Sequence, residues 1–146
     1  VMGARTVMAY QTIVSRNIPA QEPAVLTVGA MQVGETHNVI PETGTLKVNL
    51  RWYEKSTRQT LLDAIKRETQ GIADAAGVPE ERAPTYTMLG YAEPVVNAPS
   101  LAEQANATLS ASLGKKRLMP GIPPVMGSED FPMLVAGIEG AETLFV

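Results

Sequence analysis

The sequence predicts an α+β fold, and three observations carry that reading. Residues 3–16 and 56–76 repeat apolar side chains at helical spacing. Residues 46–53 alternate apolar and polar side chains with period two, the mark of a strand with one face on a core. Glycine and proline punctuate the joints, at Pro19, Pro23, Gly34, Gly44, Gly77 and Pro79. With 146 residues, 45% of them hydrophobic, the chain can build one ordinary core, or a small domain plus part of another.

Each element follows from its own residues. In 3–16, Val7, Tyr10, Ile13 and Val14 share a stripe, while Arg5 and Arg16 point elsewhere. "AVLTVGAMQV", Ala24 to Val33, is rich in strand formers and apolar on both faces, so it reads as a central strand. Gly34 to Gly44 is rich in turn residues. Leu46, Val48, Leu50 and Trp52 then alternate with Lys47, Asn49, Arg51 and Tyr53. Ser56 and Gln59 spell a capping box ahead of Leu61, Leu62, Ile65, Thr69, Ile72 and Ala76. Asp63 and Arg67 have the spacing of an i,i+4 pair. Gly77 supplies a left-handed cap and Pro79 prevents continuation. "APTYTMLGYA", Ala83 to Ala92, predicts a third strand, so the first 92 residues read α-β-β-α-β.

The texture changes near residue 93. Ser100 and Glu103 spell a second capping box, ahead of an apolar stripe of Leu101, Ala105, Leu109 and Leu113 that Gly114 ends. A Pro- and Gly-rich stretch follows, in which Ser128 is placed to cap a short helix running to about Val135. Leu144, Phe145 and Val146 form an apolar, strand-like ending. That ending, and a helical pattern that begins almost at Val1, predict a piece of a longer protein.

Composition narrows the chemistry. A net charge of −3 supplies no basic footprint for nucleic acid, and Lys115-Lys116-Arg117 reads as a solvated helix end. The absence of cysteine excludes disulfides and thiolate metal sites. No apolar run has the length of a membrane span, and no secretory leader pattern opens the sequence, so the cytoplasm is the plain default. One histidine and no cysteine leave a catalytic zinc site short of its three protein ligands. "MGSED" is not a nucleophile elbow, because Asp130 stands where that turn needs glycine.

Several residues carry two readings. Ser128 is a helix cap, with Glu129 and Asp130 in the first turn favoured by the helix dipole, or it lines a site. Arg51 is a solvated arginine on the sheet's outer face, or a fork donor for bidentate carboxylate binding. Asn38 satisfies its own turn, or its amide donates to a substrate carbonyl oxygen. His37 reads as a solvated turn residue.

The stretch "HNVIPETGTLKVNLR", His37 to Arg51, resembles a motif of the zinc-dependent aminoacylase/carboxypeptidase superfamily. In the lid domain of those enzymes an Asn-Val-Ile-Pro turn precedes a strand that ends in arginine. "TVMAYQTIVSRNIPAQEPAVLTVGAMQVG" resembles the preceding helix and strand of the hippurate hydrolase and indole-acetyl-amino-acid hydrolase branch, and "MGSEDF" a late catalytic-domain loop of the same branch. The resemblance implies residues 1–92 as a ferredoxin-like lid, or dimerisation, domain with an antiparallel sheet and two helices, lacking its first strand. It implies residues 93–146 as an incomplete C-terminal piece of an α/β catalytic domain.

The implied activity is cleavage of the amide of a small N-acyl amino acid by a homodimer holding two divalent metal ions, zinc or similar. By the same resemblance Asn38 reaches the partner subunit's substrate carbonyl, Arg51 holds the substrate carboxylate, and Gly127, Ser128, Glu129 and Asp130 form a loop near the substrate. His37 adjoins the motif and is a candidate substrate-binding residue, with no firm family role to carry over. The family's Gly-His-Asp and paired-glutamate metal segments, its near-C-terminal histidine and its early lid histidine are missing. This chain is therefore expected to hold no metal and to be inactive alone. The competing class is a non-enzymatic ferredoxin-like module that dimerises or senses a small anion through Arg51.

Overall fold

A computed structural model describes residues 1–119 and 121–145. The chain folds into two compact units, Val1–Thr87 and a second that starts at Met88.

The first unit opens with α1, Met2–Asn17. Ile18 ends it in an extended conformation, as expected of the residue before Pro19. Strands β1, Ala24–Val33, and β2, Gly44–Trp52, pair antiparallel. Helix α2, Lys55–Ala75, completes the unit and closes in a Schellman motif. Gly77 takes φ +68°, its N–H donates to Asp74, and the Val78 N–H donates to Ala73.

The two helices lie on one face of the hairpin. Tyr10 and Ile13 from α1 meet Leu61, Ala64 and Ile65 from α2, with Ala24, Leu26, Val28, Leu46, Val48 and Leu50 of the sheet packed beneath. The Tyr10 and Thr69 hydroxyls share a 2.5 Å hydrogen bond inside this contact. Burial pushes the Tyr10 phenol above its ordinary value, and the Thr69 bond partly offsets that.

The α+β class and the order helix, strand, strand, helix agree with expectation. Several details differ. Ala83–Ala92 joins no ladder, so it is not a strand. Its composition favours an extended backbone, but a strand also needs a neighbouring edge to take its hydrogen bonds. β1 accordingly has one neighbour among the described residues and is not central. Ser56 does not cap α2, which already starts at Lys55 after Glu54. Asp63 accepts from Gln59 at 2.8 Å, while Arg67 reaches Asn17 at 2.9 Å and Glu68 at 3.2 Å, so the expected Asp63–Arg67 pair does not form.

In the second unit, α3 spans Pro99–Leu113, with proline at its first position and Gly114 at φ +85° after its end. Ser100 bonds to Glu142 at 3.3 Å rather than forming a box with Glu103. The expected helix capped by Ser128 is a short 3-10 turn, Phe131–Val135, flanked by Asp130 with no side-chain cap. Pro132 suits only a first turn, and this sets the start three residues beyond Ser128. Leu144 and Phe145 form no strand, and Val146 lies outside the described residues.

Candidate functional site

Arg51 owes its position to the register of the hairpin. Val25 faces Arg51, Thr27 faces Asn49, and Val28 faces Val48. The register then slips by one residue, so that Ala30 faces Lys47 and Met31 faces Leu46. Gly29 is the extra residue of this bulge. Because side chains alternate, the bulge keeps Ala24, Leu26, Val28, Met31 and Val33 on the helix-covered face. Val25, Thr27, Ala30 and Gln32 share the other face with Arg51, Asn49, Lys47 and Thr45. The apparent two-sided apolarity of β1 comes from counting through the bulge without the slip.

Arg51 is half-buried, and its Nε donates to the Asn49 Oδ1 at 3.3 Å. That contact comes from two residues back on the same face, so strand geometry itself orients the guanidinium. Trp52 points the opposite way, and the Arg58 guanidinium lies 5.5 Å from its ring centroid.

His37 and Asn38 sit in the loop joining the strands, and both are exposed. Gly34 starts that loop at φ +76°. Arg82 ties it down through a 3.3 Å ion pair with Glu42. An open cavity of about 850 Å³ lies between the strand ends and the loop, lined by Met31, Val33, Glu35, Val39 and Pro41 among others, but by neither His37 nor Asn38.

Asn38 and Arg51 are not brought together. Seven strand steps separate Gly44 from Arg51, about 23 Å at 3.3 Å per residue, and Asn38 lies in the loop beyond Gly44. One hairpin therefore presents these two side chains at opposite ends.

Gly127, Ser128, Glu129 and Asp130 belong to the second unit and are all exposed. They lead directly into the 3-10 turn, where the Met133 N–H donates to the Asp130 carbonyl at 2.9 Å. Asn97 and Phe145, which no sequence motif links, are joined by two hydrogen bonds in this unit. They stand 48 positions apart, and no local pattern marks such a pair.

No group of three or more His, Cys, Asp or Glu side chains comes together among the described residues, so they do not fit a pair of metal ions. No helix among them is long and apolar enough to cross a membrane.

No family model matches the chain. Among curated proteins, it is 30% identical over 125 residues to a hippurate hydrolase of Campylobacter jejuni, covering 86% of this chain and 32% of that protein. It is 34% identical over 134 residues to an N-acetyldiaminopimelate deacetylase of Streptococcus suis, covering 92% and 34% respectively. An N-acetylcysteine deacetylase of Bacillus subtilis is 28% identical over 134 residues, covering 92% and 33%. A solved structure of an aminohydrolase from methicillin-resistant Staphylococcus aureus superposes with a TM-score of 0.67 at 27% identity, covering 92% of this chain and 33% of that one. The chain spans about a third of the length of the curated relatives it matches.

Proposed function

This chain is homologous to enzymes of the aminoacylase/carboxypeptidase superfamily, in its hippurate hydrolase-like branch, and from that premise we propose that it forms the substrate-holding part of an amidohydrolase that cleaves N-acyl amino acids. Arg51 is the carboxylate clamp: its planar fork matches a free carboxylate. The strand limits its freedom, which a productive contact requires to within roughly half an ångström. Asn38 donates its amide to the substrate carbonyl oxygen. Gly127 to Asp130 supply the loop beside the substrate, and His37 stands next to Asn38 at the loop between the strands.

Two divalent metal ions, zinc or similar, would supply the activated water when bound to the longer enzyme. The described residues do not fit them, so this chain's part is to bind and orient. Alone it is inactive.

The observation that carries this reading is the separation of Asn38 from Arg51. A span of about 23 Å from Gly44 to Arg51 exceeds any single small N-acyl amino acid. The two side chains serve one substrate only if different subunits of a homodimer supply them, which gives Asn38 its role across the interface.

Subunit mixing in the longer enzyme tests this. Asn38→Ala and Arg51→Ala homodimers should each be inactive. After dissociation and joint reassociation, half the dimers are mixed and each holds one intact site, so about a quarter of wild-type activity should return. No recovery would place both residues in one subunit's site and overturn the reading.

A further inference from the structure

We infer that Asn97 is the positioning residue of the Gly127–Asp130 loop, acting through the two phenylalanines; the loop's role in binding substrate rests on the reading above. The Asn97 Nδ2 donates to the Phe145 carbonyl at 2.9 Å, and the Phe145 N–H donates to the Asn97 Oδ1 at 2.8 Å. One side-chain amide thus satisfies both backbone groups of a single residue, as a neighbouring strand would. The orientation of the amide follows from the bonds themselves, because a carbonyl only accepts and an N–H only donates. Beside this clamp the Ala98 N–H donates to the Thr143 carbonyl at 2.9 Å, and the Ser100 hydroxyl meets Glu142 at 3.3 Å. Residues 142–145 therefore run antiparallel along 97–100.

The clamp fixes the base of the Phe145 side chain. Its ring meets Phe131 with centroids 5.3 Å apart and planes tilted by 55°, a favourable aromatic geometry. Phe131 directly follows Asp130 and opens the 3-10 turn. The loop itself has little to hold it: Gly127 to Asp130 are exposed, and a side chain added at Gly127 would meet nothing within 4 Å. The flank that follows the loop leads back to Asn97 through Phe131 and Phe145.

Amide hydrogen exchange on the 146-residue chain tests the connection. Asn97→Ala should speed exchange about tenfold at Phe145, the effect of losing two modest hydrogen bonds, and should also speed it at Glu129 to Phe131. Phe145→Leu keeps the backbone clamp but removes the ring. It should speed exchange at Glu129 to Phe131 while leaving the amide at position 145 protected. Amides of α2 should not change in either variant. Unchanged exchange at Glu129 to Phe131 in both variants overturns the inference, as does a uniform rise through the whole second unit. The longer enzyme separates the two layers of the argument. There Asn97→Ala should raise KM for an N-acyl amino acid about tenfold with kcat nearly held, matching the loss in loop order. A loop loosened in exchange with KM unchanged supports the positioning and overturns the loop's substrate role.

Discussion

Leu61→Ala is the sharpest test of how the hairpin is held. Leu61 and Ile13 are the largest fully enclosed side chains, and Leu61 sits where α2 meets α1 and the sheet. Truncation removes three carbons, worth roughly 2.5 kcal/mol in transfer free energy at about 0.8 kcal/mol per methylene. The walls are two helices and a paired hairpin, which collapse poorly, so a cavity term adds to that. The expected loss is about 3–4 kcal/mol, inside the range for buried leucine truncations. Trp52, the single tryptophan, lies in the same unit and reports its unfolding by fluorescence. With an urea dependence of about 1.5 kcal/mol per molar, the midpoint should fall by about 2 M. Leu113→Ala, at a half-exposed position in the second unit, should leave the Trp52 transition within about 0.5 kcal/mol. A Leu61→Ala midpoint within about 0.5 M of wild type would refute the packing of α1, α2 and the sheet around this residue.

Three further outcomes follow from single side chains. Arg51→Lys keeps the charge and loses the fork, so in the longer enzyme KM for an N-acyl amino acid should rise roughly tenfold, the worth of one charge-assisted hydrogen bond. Its carboxamide analogue should be little affected, and equal losses for both would remove the clamp from Arg51. Gly77→Ala should cost about 1–2 kcal/mol in Trp52-monitored unfolding, purely through φ +68°, since an added Cβ meets nothing within 4 Å; Gly77→Asn should cost less. Tyr10 has a folded pKa raised above 10.0, so its contribution is intact below that value and is lost as pH rises through the folded value. Tyr10→Phe should therefore flatten the alkaline loss of stability, read from urea midpoints between about pH 8 and pH 11.

The sequence makes the helices and β2 legible because each obeys one periodicity from end to end. Leu46, Val48 and Leu50 reach the core face by simple alternation, and Tyr10 and Ile13 do so by helical spacing. β1 misleads because Gly29 breaks its alternation halfway, and nothing in "AVLTVGAMQV" states that a residue is bulged rather than paired. Ala83–Ala92 misleads for a different reason: propensity is a property of the segment, while strand formation belongs to a pair. The capping boxes at Ser56 and Ser100 fail because a helix start is decided by the geometry of the entering chain. Lys55 and Pro99 are already helical when those serines are reached.

The same distinction governs the site. His37, Asn38 and Arg51 read as one compact motif because they fall within fifteen consecutive positions. A strand turns that closeness into length, since each residue advances the chain by about 3.3 Å while alternation fixes only the face. Face is therefore legible, and Arg51 does share the polar face with Asn49 and Lys47. Proximity is not: Arg51 lies near the far end of β2, while Asn38 lies in the loop before its start. Asn97 and Phe145 are the converse case, 48 positions apart and joined by two hydrogen bonds. A motif stretched along a strand becomes one site only when a second strand end is brought to it, and a two-fold pairing of chains is the simplest symmetric way to do so.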